Sequence, residues 1–489
     1  MTIATRAPGP KAVCGWLAFG LLFGGCALRE KPVPPGVAVP EKFSASGKAS
    51  APDQWWRSFD DSTLNRLVDR SMADNLTLRI AWDRLAQARA VARREGAALY
   101  PAVDGSGTAT RSRQVRTAGN IGNSEITEAG VRDRRLVTYG TDLSLGVTVG
   151  YEVDLWGRIR SAHDAARFDT RASEEEVLAA AMTLSASVAT TWYRLVEQNG
   201  QIDLLKVQLE TNERVLELIT TRFQQGQVGA ADVLQQRQLA ESSRGAVATA
   251  EGQAAVLAHQ LAILLGRPPT DRVAPRTAEL FALPPLPSTG VPAALIQRRP
   301  DIRQSYFNVL ASDRRISSAV AEQFPRLSLS AGVDTSGAQT RDLFDNWLAT
   351  LGANLIAPLL DGGLRQAEVV RTRAVLSENL HRYGQVILES LGEVEDALAQ
   401  ERTQREFIVS LEKQLKFAQQ ALERTRDSYL NGAFDYLRVL ETISSLQSLE
   451  RTYLTARREL LERRIALCRA LGGGWQMKAP PLARLVSRN

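Results

Sequence analysis

Apolar side chains recur at alternating intervals of three and four residues along two long tracts of this chain. The first tract carries the series Ile202, Leu205, Leu209, Asn212, Leu216, Ile219 and Phe223. The second carries Ile408, Leu411, Leu415, Ala418, Leu422, Thr425 and Tyr429, each 206 residues after its counterpart. An average spacing of about 3.5 residues is typical of helices that pack side by side as in coiled coils. The common offset indicates one structural unit used twice.

Both tracts lack proline over distances that permit unusually long helices. No proline occurs between Pro101 and Pro268 or between Pro358 and Pro480, and proline would cost a helix interior about 3 kcal/mol. A helix over residues 160–225 would be on the order of 100 Å long at ~1.5 Å per residue. Asn199-Gly200 would either bend this helix or fray it, and the pattern leaves both alternatives open.

A glycine-containing interruption separates each long tract from a shorter one. The interruptions are Gly226-Gln227-Val228-Gly229 and Asn431-Gly432, which occupy equivalent positions in the two repeats. Glycine adopts the left-handed conformation that ends a helix without steric cost. We therefore predict that these are the tips of two helical hairpins, at which antiparallel helices reverse. The alternative is a mild kink within one longer helix.

Ahead of each long tract the apolar spacing changes to about two residues, which predicts β-strands. The clear series is Leu143, Leu145, Val147, Val149, Tyr151, Val153 and Leu155, and the less regular one is Trp347, Ala349, Leu351, Ala353, Leu355, Ala357 and Leu359. Shorter series at 106–112 and 327–333 precede them, across loops predicted over 113–135 and 334–346. Each repeat therefore contains a β-hairpin. Such strands suit a transmembrane barrel wall and a soluble half-buried sheet equally well.

Four strands are too few to close a barrel. An unpaired strand edge in lipid would leave backbone groups unsatisfied, at several kcal/mol each. If the sheet lies in a membrane, several copies of the chain must share it. An oligomer follows from that premise.

The first residues of the chain have the features of an export signal. Arg6 and Lys11 precede an apolar run over 12–23, which is short for a membrane span. Leu22-Phe23-Gly24-Gly25-Cys26 resembles the bacterial lipobox, in which the cysteine is lipidated, although a smaller aliphatic residue is usual at Phe23. We predict a lipid anchor on Cys26. The alternative is an ordinary signal peptide with an incidental cysteine.

Composition argues against several classes of function. The formal charge of +6 is spread over 489 residues, so the basic excess gives only weak support for a nucleic-acid site. His163, His259 and His381 are scattered without metal-ligand spacing. Asp361-Gly362-Gly363 lacks the ending of a phosphate-binding loop. We therefore predict that the protein is not an enzyme and has no metal site and no cofactor.

Six short motifs are distributed over nearly the whole chain after the signal. They are Trp55-Trp56 with residues 65–75, Tyr151-Glu152-Val153-Asp154-Leu155-Trp156-Gly157-Arg158, Leu265-Gly266-Arg267-Pro268-Pro269, Arg298-Arg299-Pro300-Asp301-Ile302-Arg303, Phe324-Pro325 and Ala470-Leu471-Gly472-Gly473-Gly474-Trp475. Together they resemble the TolC/OprM-like outer membrane factor family, in its lipoprotein branch. The fourth and the last motif are the most specific of the six.

The resemblance implies a mainly helical fold with a membrane β-barrel. The tandem-repeat protomer would contribute two β-hairpins (four strands) and long antiparallel, coiled-coil-like helices. Three protomers would form a homotrimer with a 12-stranded β-barrel and a periplasmic α-barrel.

The resemblance also implies a function and partners. The protein would be the exit duct of a tripartite efflux system and would passively conduct small toxic compounds or drugs across the bacterial outer membrane. Its partners would be a periplasmic adaptor (membrane fusion protein), an inner-membrane RND-type transporter and outer-membrane lipids, with no nucleic acid. The lipid on Cys26 would comprise an N-palmitoyl group and an S-diacylglycerol.

The pattern and the resemblance together predict the division of the chain. Residues 1–25 form the signal peptide, 26–53 the lipid-anchored tether and 476–489 a C-terminal tail. The first repeat covers 54–267, with a β-hairpin at about 102–155 and a helical hairpin at about 158–265. A Pro-rich linker over 268–300 leads to the second repeat over 301–475, with a β-hairpin at about 326–359 and a helical hairpin at about 363–471.

The hairpin tips are the candidate functional site, since in this family they form the constricted periplasmic end and contact the adaptor. The candidate contact residues are Gly226, Val233, Leu234, Gly432, Val439 and Leu440. Acidic side chains in a narrow three-fold lumen would form a charge ring that holds cations, with Asp435 as the first candidate and Asp232 as the second. Arg222 and Arg426 could pair with these acids and hold the tip shut. The alternative is that each acid is a solvated residue at a helix start, stabilised by the helix dipole.

Two other functions agree with the same pattern. One is a TolC-like exit duct for type I protein secretion, which uses the same kind of tube. The other is a non-channel periplasmic helical scaffold lipoprotein, in which the strands form a soluble sheet.

Overall fold

The computed structural model describes residues 37–49, 54–117, 135–270, 280 and 282–472. Within these residues, one compact unit consists of Arg89–Phe168 and Leu310–Glu378, and a second lies within Pro34–Ala88, Asp169–Val309 and Asn379–Asn489. The predicted signal peptide, Cys26 and the C-terminal tail lie outside the described residues.

The first unit contains a four-stranded antiparallel sheet in the order β1-β2-β3-β4. The strands are β1 (Ala102–Thr117), β2 (Arg135–Val153), β3 (Arg326–Gly337) and β4 (Trp347–Ile356). Strand β2 pairs with β1 on one side and with β3 on the other. Two hairpins from distant parts of the chain therefore share one sheet, as the fold-class prediction requires.

Strand β1 is longer than the alternating series that predicted it. Arg113, which the sequence assigned to a loop, lies within β1 opposite Tyr139. The residues around it are small or polar, so they carry no apolar alternation, and the backbone ladder to β2 holds them in the strand instead. The prediction of a loop starting at Arg113 was therefore wrong. The second predicted loop, 334–346, also starts too early, since β3 continues to Gly337 through its pairing with β2.

The strand register places most apolar positions of the four strands on one face of the sheet, whereas Leu348, opposite Asp334, and Ile356, opposite Arg326, lie on the other face. Val147 lies opposite Gly105 in β1 and opposite Val333 in β3, and Val333 lies opposite Ala349 in β4. The neighbouring row consists of polar or small residues such as Asp104 and Thr148. Because successive side chains of a strand point to opposite faces, the other face is mainly polar.

Two pairs of long helices follow the two β-hairpins. They are α3 (Arg158–Gln224) with α4 (Ala230–Leu264), and α7 (Leu364–Leu430) with α8 (Tyr436–Ala470). Each boundary in the second pair lies 206 residues after its counterpart in the first. The repeat found in the sequence is therefore a repeat of backbone structure. Helix α3 continues through Asn199-Gly200, and the Asn199 side chain donates to the carbonyl of Leu195.

The packing within the two helical hairpins repeats as well. Ile202 and Leu205 of α3 pack on Ala250 of α4. Their counterparts Ile408 and Leu411 of α7 pack on Ala456 of α8. Within the described residues, no helix is both long and apolar enough to cross a lipid bilayer.

Four shorter helices complete the described chain. They are α1 (Ser62–Asp74), α2 (Leu76–Ala97), α5 (Pro292–Arg298) and α6 (Pro300–Ala321). The 3-10 turn at Trp55–Phe59 buries Trp55 and Trp56 against the start of α1. There the Asp61 carboxylate caps α1 and accepts from the Trp192 indole N–H at 2.7 Å, which ties α1 to α3.

A buried ion pair attaches the Pro-rich linker to the second helical hairpin. Both Arg464 and Glu401 are almost completely buried, and the guanidinium donates to both carboxylate oxygens at 2.6 and 2.8 Å. The same guanidinium donates to the carbonyls of Pro284 and Pro285. Burial alone would raise the pKa of Glu401, but hydrogen bonds and charge from Arg464 and then Arg405 outweigh it and lower the pKa below 4.5.

Glu401→Gln tests the contribution of this pair to stability. The substitution leaves Arg464 as a buried charge without its counter-charge, so we expect a loss of about 3–5 kcal/mol of unfolding free energy at pH 7. Because the folded-state pKa of Glu401 is lowered, its contribution is complete above the ordinary pKa of about 4.5 and is lost as the pH falls through the folded-state value. The difference in Tm between wild type and variant, followed by circular dichroism from pH 7 to pH 3, should therefore narrow with acidification.

The matched control is Glu368→Gln, which removes an exposed carboxylate paired with Arg371 on α7. Solvent screens that pair, so the control should unfold like the wild type at every pH. An equal fall in Tm for the two variants would contradict the assignment.

Candidate functional site

The two helical hairpins end in the same backbone motif. After α3, Gln227 N–H donates to the carbonyl of Arg222 and Gly226 N–H donates to that of Phe223, both at 2.9 Å. After α7, Ala433 and Gly432 repeat these two bonds at 2.8 and 3.0 Å. Gly226 and Gly432 have φ values of 73° and 74°, the left-handed conformation that closes this helix end. The interruptions are therefore hairpin tips and not kinks.

Both candidate aperture acids lie at the start of the returning helix. Asp435 is the N-cap of α8, and its carboxylate accepts from the backbone N–H of Arg438 at 3.1 Å. In the first tip Gly229 occupies the N-cap position, and Asp232, three residues later, accepts from the Gly229 N–H at 3.1 Å. The two repeats thus provide a carboxylate acceptor for the backbone N–H groups at the same helix start, but from different positions in the sequence. Each carboxylate has a helix-capping role, whatever else it does.

The two tips share one apolar cluster. Tyr436, Val439 and Ile443 of α8 pack against Ile219 of α3, with Val233 and Leu440 partly buried beside them. Val439, Val233 and Leu440 therefore hold the tips together. Of the six candidate contact residues, the exposed ones are Gly226, Gly432 and Leu234.

A chain of buried hydrogen bonds leads from the tips between α3, α4 and α8. The Tyr436 hydroxyl donates to Oε1 of Gln236 at 2.5 Å, and Nε2 of Gln236 donates to the carbonyl of Asn212 at 2.7 Å. The Asn212 side chain donates to Oγ of Ser243 at 2.8 Å and accepts from Nε2 of Gln447 at 3.1 Å. Burial raises the pKa of Tyr436, helped by Tyr429 and Asp232, so its hydroxyl stays protonated and can donate.

Sequence reasoning did not identify this hydrogen-bonded chain. Its one visible signal was Asn212, the polar member of the first apolar series, which is completely buried. A single polar residue in a coiled-coil seam specifies which helices pair and in what register. Asn212 meets this description because it bonds to residues of both α4 and α8.

The two candidate arginines do not pair with the tip acids within the described part of one chain. The Arg222 guanidinium lies over the ring of Tyr429, 5.2 Å from its centroid. Arg426 is exposed on the last turns of α7. Within one described chain, neither forms an ion pair with Asp435 or Asp232. Arg222 thus connects the two tips through an aromatic contact.

Among the described residues, no group of three or more His, Cys, Asp or Glu side chains is arranged to hold a metal ion. The predicted lipidation site, Cys26, lies outside those residues.

The chain is similar to outer membrane efflux proteins over most of its length. A family model described as outer membrane efflux protein matches residues 67–267 and 291–473. The pyoverdine export outer membrane protein OpmQ of Pseudomonas aeruginosa is 32% identical over 476 residues, 95% of this chain and 97% of that protein. The cation efflux system protein CusC of Escherichia coli is 27% identical over 479 residues, 95% of this chain and 99% of that protein. A crystal structure of CusC, from work on folding and transmembrane channel formation, matches with a TM-score of 0.80 at 25% identity, over 91% of this chain and 100% of that one.

Alanine at the tip glycines tests the tip geometry. A Cβ at Gly226 or Gly432 would meet open space, so the cost comes only from the left-handed backbone, about 1–2 kcal/mol. We expect hydrogen exchange of the tip amides to accelerate about 5–30-fold in Gly226→Ala and in Gly432→Ala.

The matched control is Gly245→Ala in α4, where a Cβ also meets open space but the backbone is helical. There alanine should stabilise the helix by about 0.5–1 kcal/mol, so exchange should slow. Acceleration in all three variants would show that the left-handed conformation is not the cause.

Proposed function

The chain belongs to the outer membrane efflux protein family, and from that premise we propose that three copies of it form the exit duct of a tripartite efflux system. The homotrimer has a 12-stranded β-barrel in the outer membrane and an α-barrel in the periplasm. The duct conducts its cargo passively and performs no catalysis.

The observation that carries this proposal is the four-stranded sheet with one apolar face. Strands β1 and β4 lie at its two edges, and among the described strands each pairs on one side only. In lipid, each unpaired backbone group costs several kcal/mol, so the two edges require partners. Pairing of β4 in one copy with β1 in the next closes the sheet, and three copies give an even-stranded antiparallel barrel.

The cargo is determined by the partner pump more than by this chain. Its relatives OpmQ and CusC are named for pyoverdine export and for cation efflux, although each aligns with about the same share of this chain. We assign small toxic compounds or drugs as the cargo, an inner-membrane RND-type transporter as the driving pump and a periplasmic adaptor as the link. Leu234, with 62% of its surface exposed, and the two tip glycines form the adaptor-contact surface.

A lipid on Cys26 adds a second attachment to the outer membrane. The lipid consists of an N-palmitoyl group and an S-diacylglycerol, and residues 27–36 connect it to the described chain. The proposed lipid attachment is supported by the contacts of residues 43–47, which fix the segment after the connection to the rest of the protein. Phe43 is buried in an apolar cluster with Leu391, the Ser44 N–H donates to Glu395 at 2.9 Å, and Gly47 N–H donates to the carbonyl of Pro287 at 3.0 Å.

The proposed exit duct is tested by complementation in a drug-sensitive strain that lacks its own outer membrane channel. Expression of the chain with candidate adaptor–transporter pairs should restore drug resistance, and expression of the chain alone should not, because a passive duct needs a driving pump. The membrane fraction should contain a heat-modifiable oligomer. A stable single protomer after detergent extraction would overturn the proposal, and a Cys26→Ser variant would separate the role of the lipid from that of the duct.

The proposed charge ring of Asp435 and Asp232 is tested by Asp435→Asn and Asp232→Asn. At the N-cap position of Asp435, asparagine caps a helix about as well as aspartate. At Asp232, the amide oxygen of asparagine can still accept from the Gly229 N–H, so both variants remove the charge and keep the hydrogen bond. We expect a higher conductance in planar bilayers and a lower cation selectivity, measured as the reversal potential across a KCl gradient.

Asp435→Ala is the comparison variant, because it removes both the charge and the cap. Unchanged conductance and selectivity in the two asparagine variants would reduce both acids to helix caps. A change seen only in Asp435→Ala would attribute the effect to loss of the cap.

A further inference from the structure

The apolar face of the sheet has a height that can be read from the strand register. From Val153 to Leu143 the alternate positions of β2 are apolar, and they are flanked by Leu327, Leu329, Ala331 and Val333 of β3. At ~3.4 Å per residue this face is about 34 Å long, or about 26 Å along the membrane normal for a strand tilted by about 40°. That height corresponds to the apolar band of a transmembrane barrel.

Above this band, two rows of the same face carry an arginine, and the row beyond them is Val115 opposite Val137. The next outward-facing positions are Arg111, opposite Thr141, and Arg113, opposite Tyr139. Both arginines are exposed, and 62% of the Tyr139 surface is exposed as well. The Arg113 guanidinium lies 5.8 Å from the centroid of the Tyr139 ring.

The arginines lie on a part of the β1–β2 hairpin that extends beyond the other two strands. Strand β3 ends at Gly337, which is opposite Leu143, and β4 begins at Trp347, opposite Thr335. Neither strand therefore reaches the level of Arg111 and Arg113. Among the described residues neither guanidinium pairs with a carboxylate, and the acid nearest in register, Asp142 opposite Thr110, is on the polar face.

The height of Arg111 and Arg113 above the apolar band determines which part of the membrane they contact. Helix α3 begins after Val153, so this end of the sheet is periplasmic in the outer membrane duct, and the arginine end is external. Arg111 and Arg113 are then about 5 and 10 Å above the apolar band, which is the depth of the lipid headgroups. A planar guanidinium binds phosphate oxygens through two parallel hydrogen bonds, and an exposed aromatic ring favours the same interface.

We propose that Arg111, Arg113 and Tyr139 form a binding site for the phosphate of an outer-leaflet lipid headgroup, at the external rim of the barrel wall. Three such sites, one on each protomer, surround the duct. The site rests on the proposed function, because it needs the sheet to lie in the outer membrane with the helices in the periplasm.

The test uses the full-length protein purified in detergent, with bound lipid counted by native mass spectrometry. The probes are lipid A, dephosphorylated lipid A and inorganic phosphate. We expect lipid A to bind about 25-fold more tightly than its dephosphorylated form, from about fivefold for each arginine near an anionic headgroup. Inorganic phosphate should not displace it, because the acyl chains on the apolar band provide the rest of the affinity.

The variants are Arg111→Gln with Arg113→Gln, and Arg326→Gln as the matched control. Arg326 is also an exposed arginine of the sheet, but it lies at the opposite end, in the polar row next to Leu327. The double variant should lose the preference for phosphorylated lipid, and the control should keep it.

Conductance in planar bilayers separates the possible failures. A double variant that still conducts and still prefers lipid A would overturn this site and leave the duct intact. Displacement of lipid A by inorganic phosphate would overturn the lipid assignment. A wild-type protein that fails to insert into bilayers would overturn the duct and this inference together.

Discussion

The two open edges of the four-stranded sheet are the constraint on which the rest of the molecule depends. In the described chain, β1 and β4 have no strand on their outer sides. A soluble protein protects such edges with charges, bulges or covering elements, whereas a lipid environment offers no hydrogen bonds at all. The apolar face and the open edges can both be satisfied only if other copies continue the sheet. Oligomerisation is therefore a condition of the membrane location and not an addition to it.

The duplication preserved the backbone of the helical hairpins but only part of their side-chain hydrogen bonding. Helix boundaries and the packing of Ile202 on Ala250 repeat at the same offset. The hydrogen-bonded chain through Asn212, Gln236 and Gln447 does not repeat, because the equivalent positions hold Ala418, Thr442 and Glu241. A buried polar chain that occurs in one seam only gives the first hairpin a unique partner in α8. Two otherwise similar hairpins are thereby kept distinct.

The sequence predicted elements well where one local pattern determined them. The 3.5-residue series, the glycine interruptions and the alternating strands each have a short-range cause. The fold class itself was implied by the family resemblance, and it is confirmed. Prediction from the sequence failed where the contacting residues are far apart along the chain. Arg222 contacts Tyr429, and Arg464 contacts both Glu401 and Pro285. No local sequence pattern predicts pairs that are so far apart along the chain. The end of β1 was missed for the same reason, since its polar residues are held by pairing with β2.

The tips show that a sequence motif can locate an acidic residue without determining its function. The first turn of a helix offers unpaired N–H groups, and a carboxylate at the N-cap or three residues later satisfies them. Asp435 uses the first solution and Asp232 the second, in two repeats with the same backbone. The fold therefore fixes the need for an acceptor but leaves the position of the charge free to change. In a three-fold ring, a shift of three residues would move the charge about 4.5 Å along the helix axis, enough to alter the electrostatics of an aperture without altering its walls.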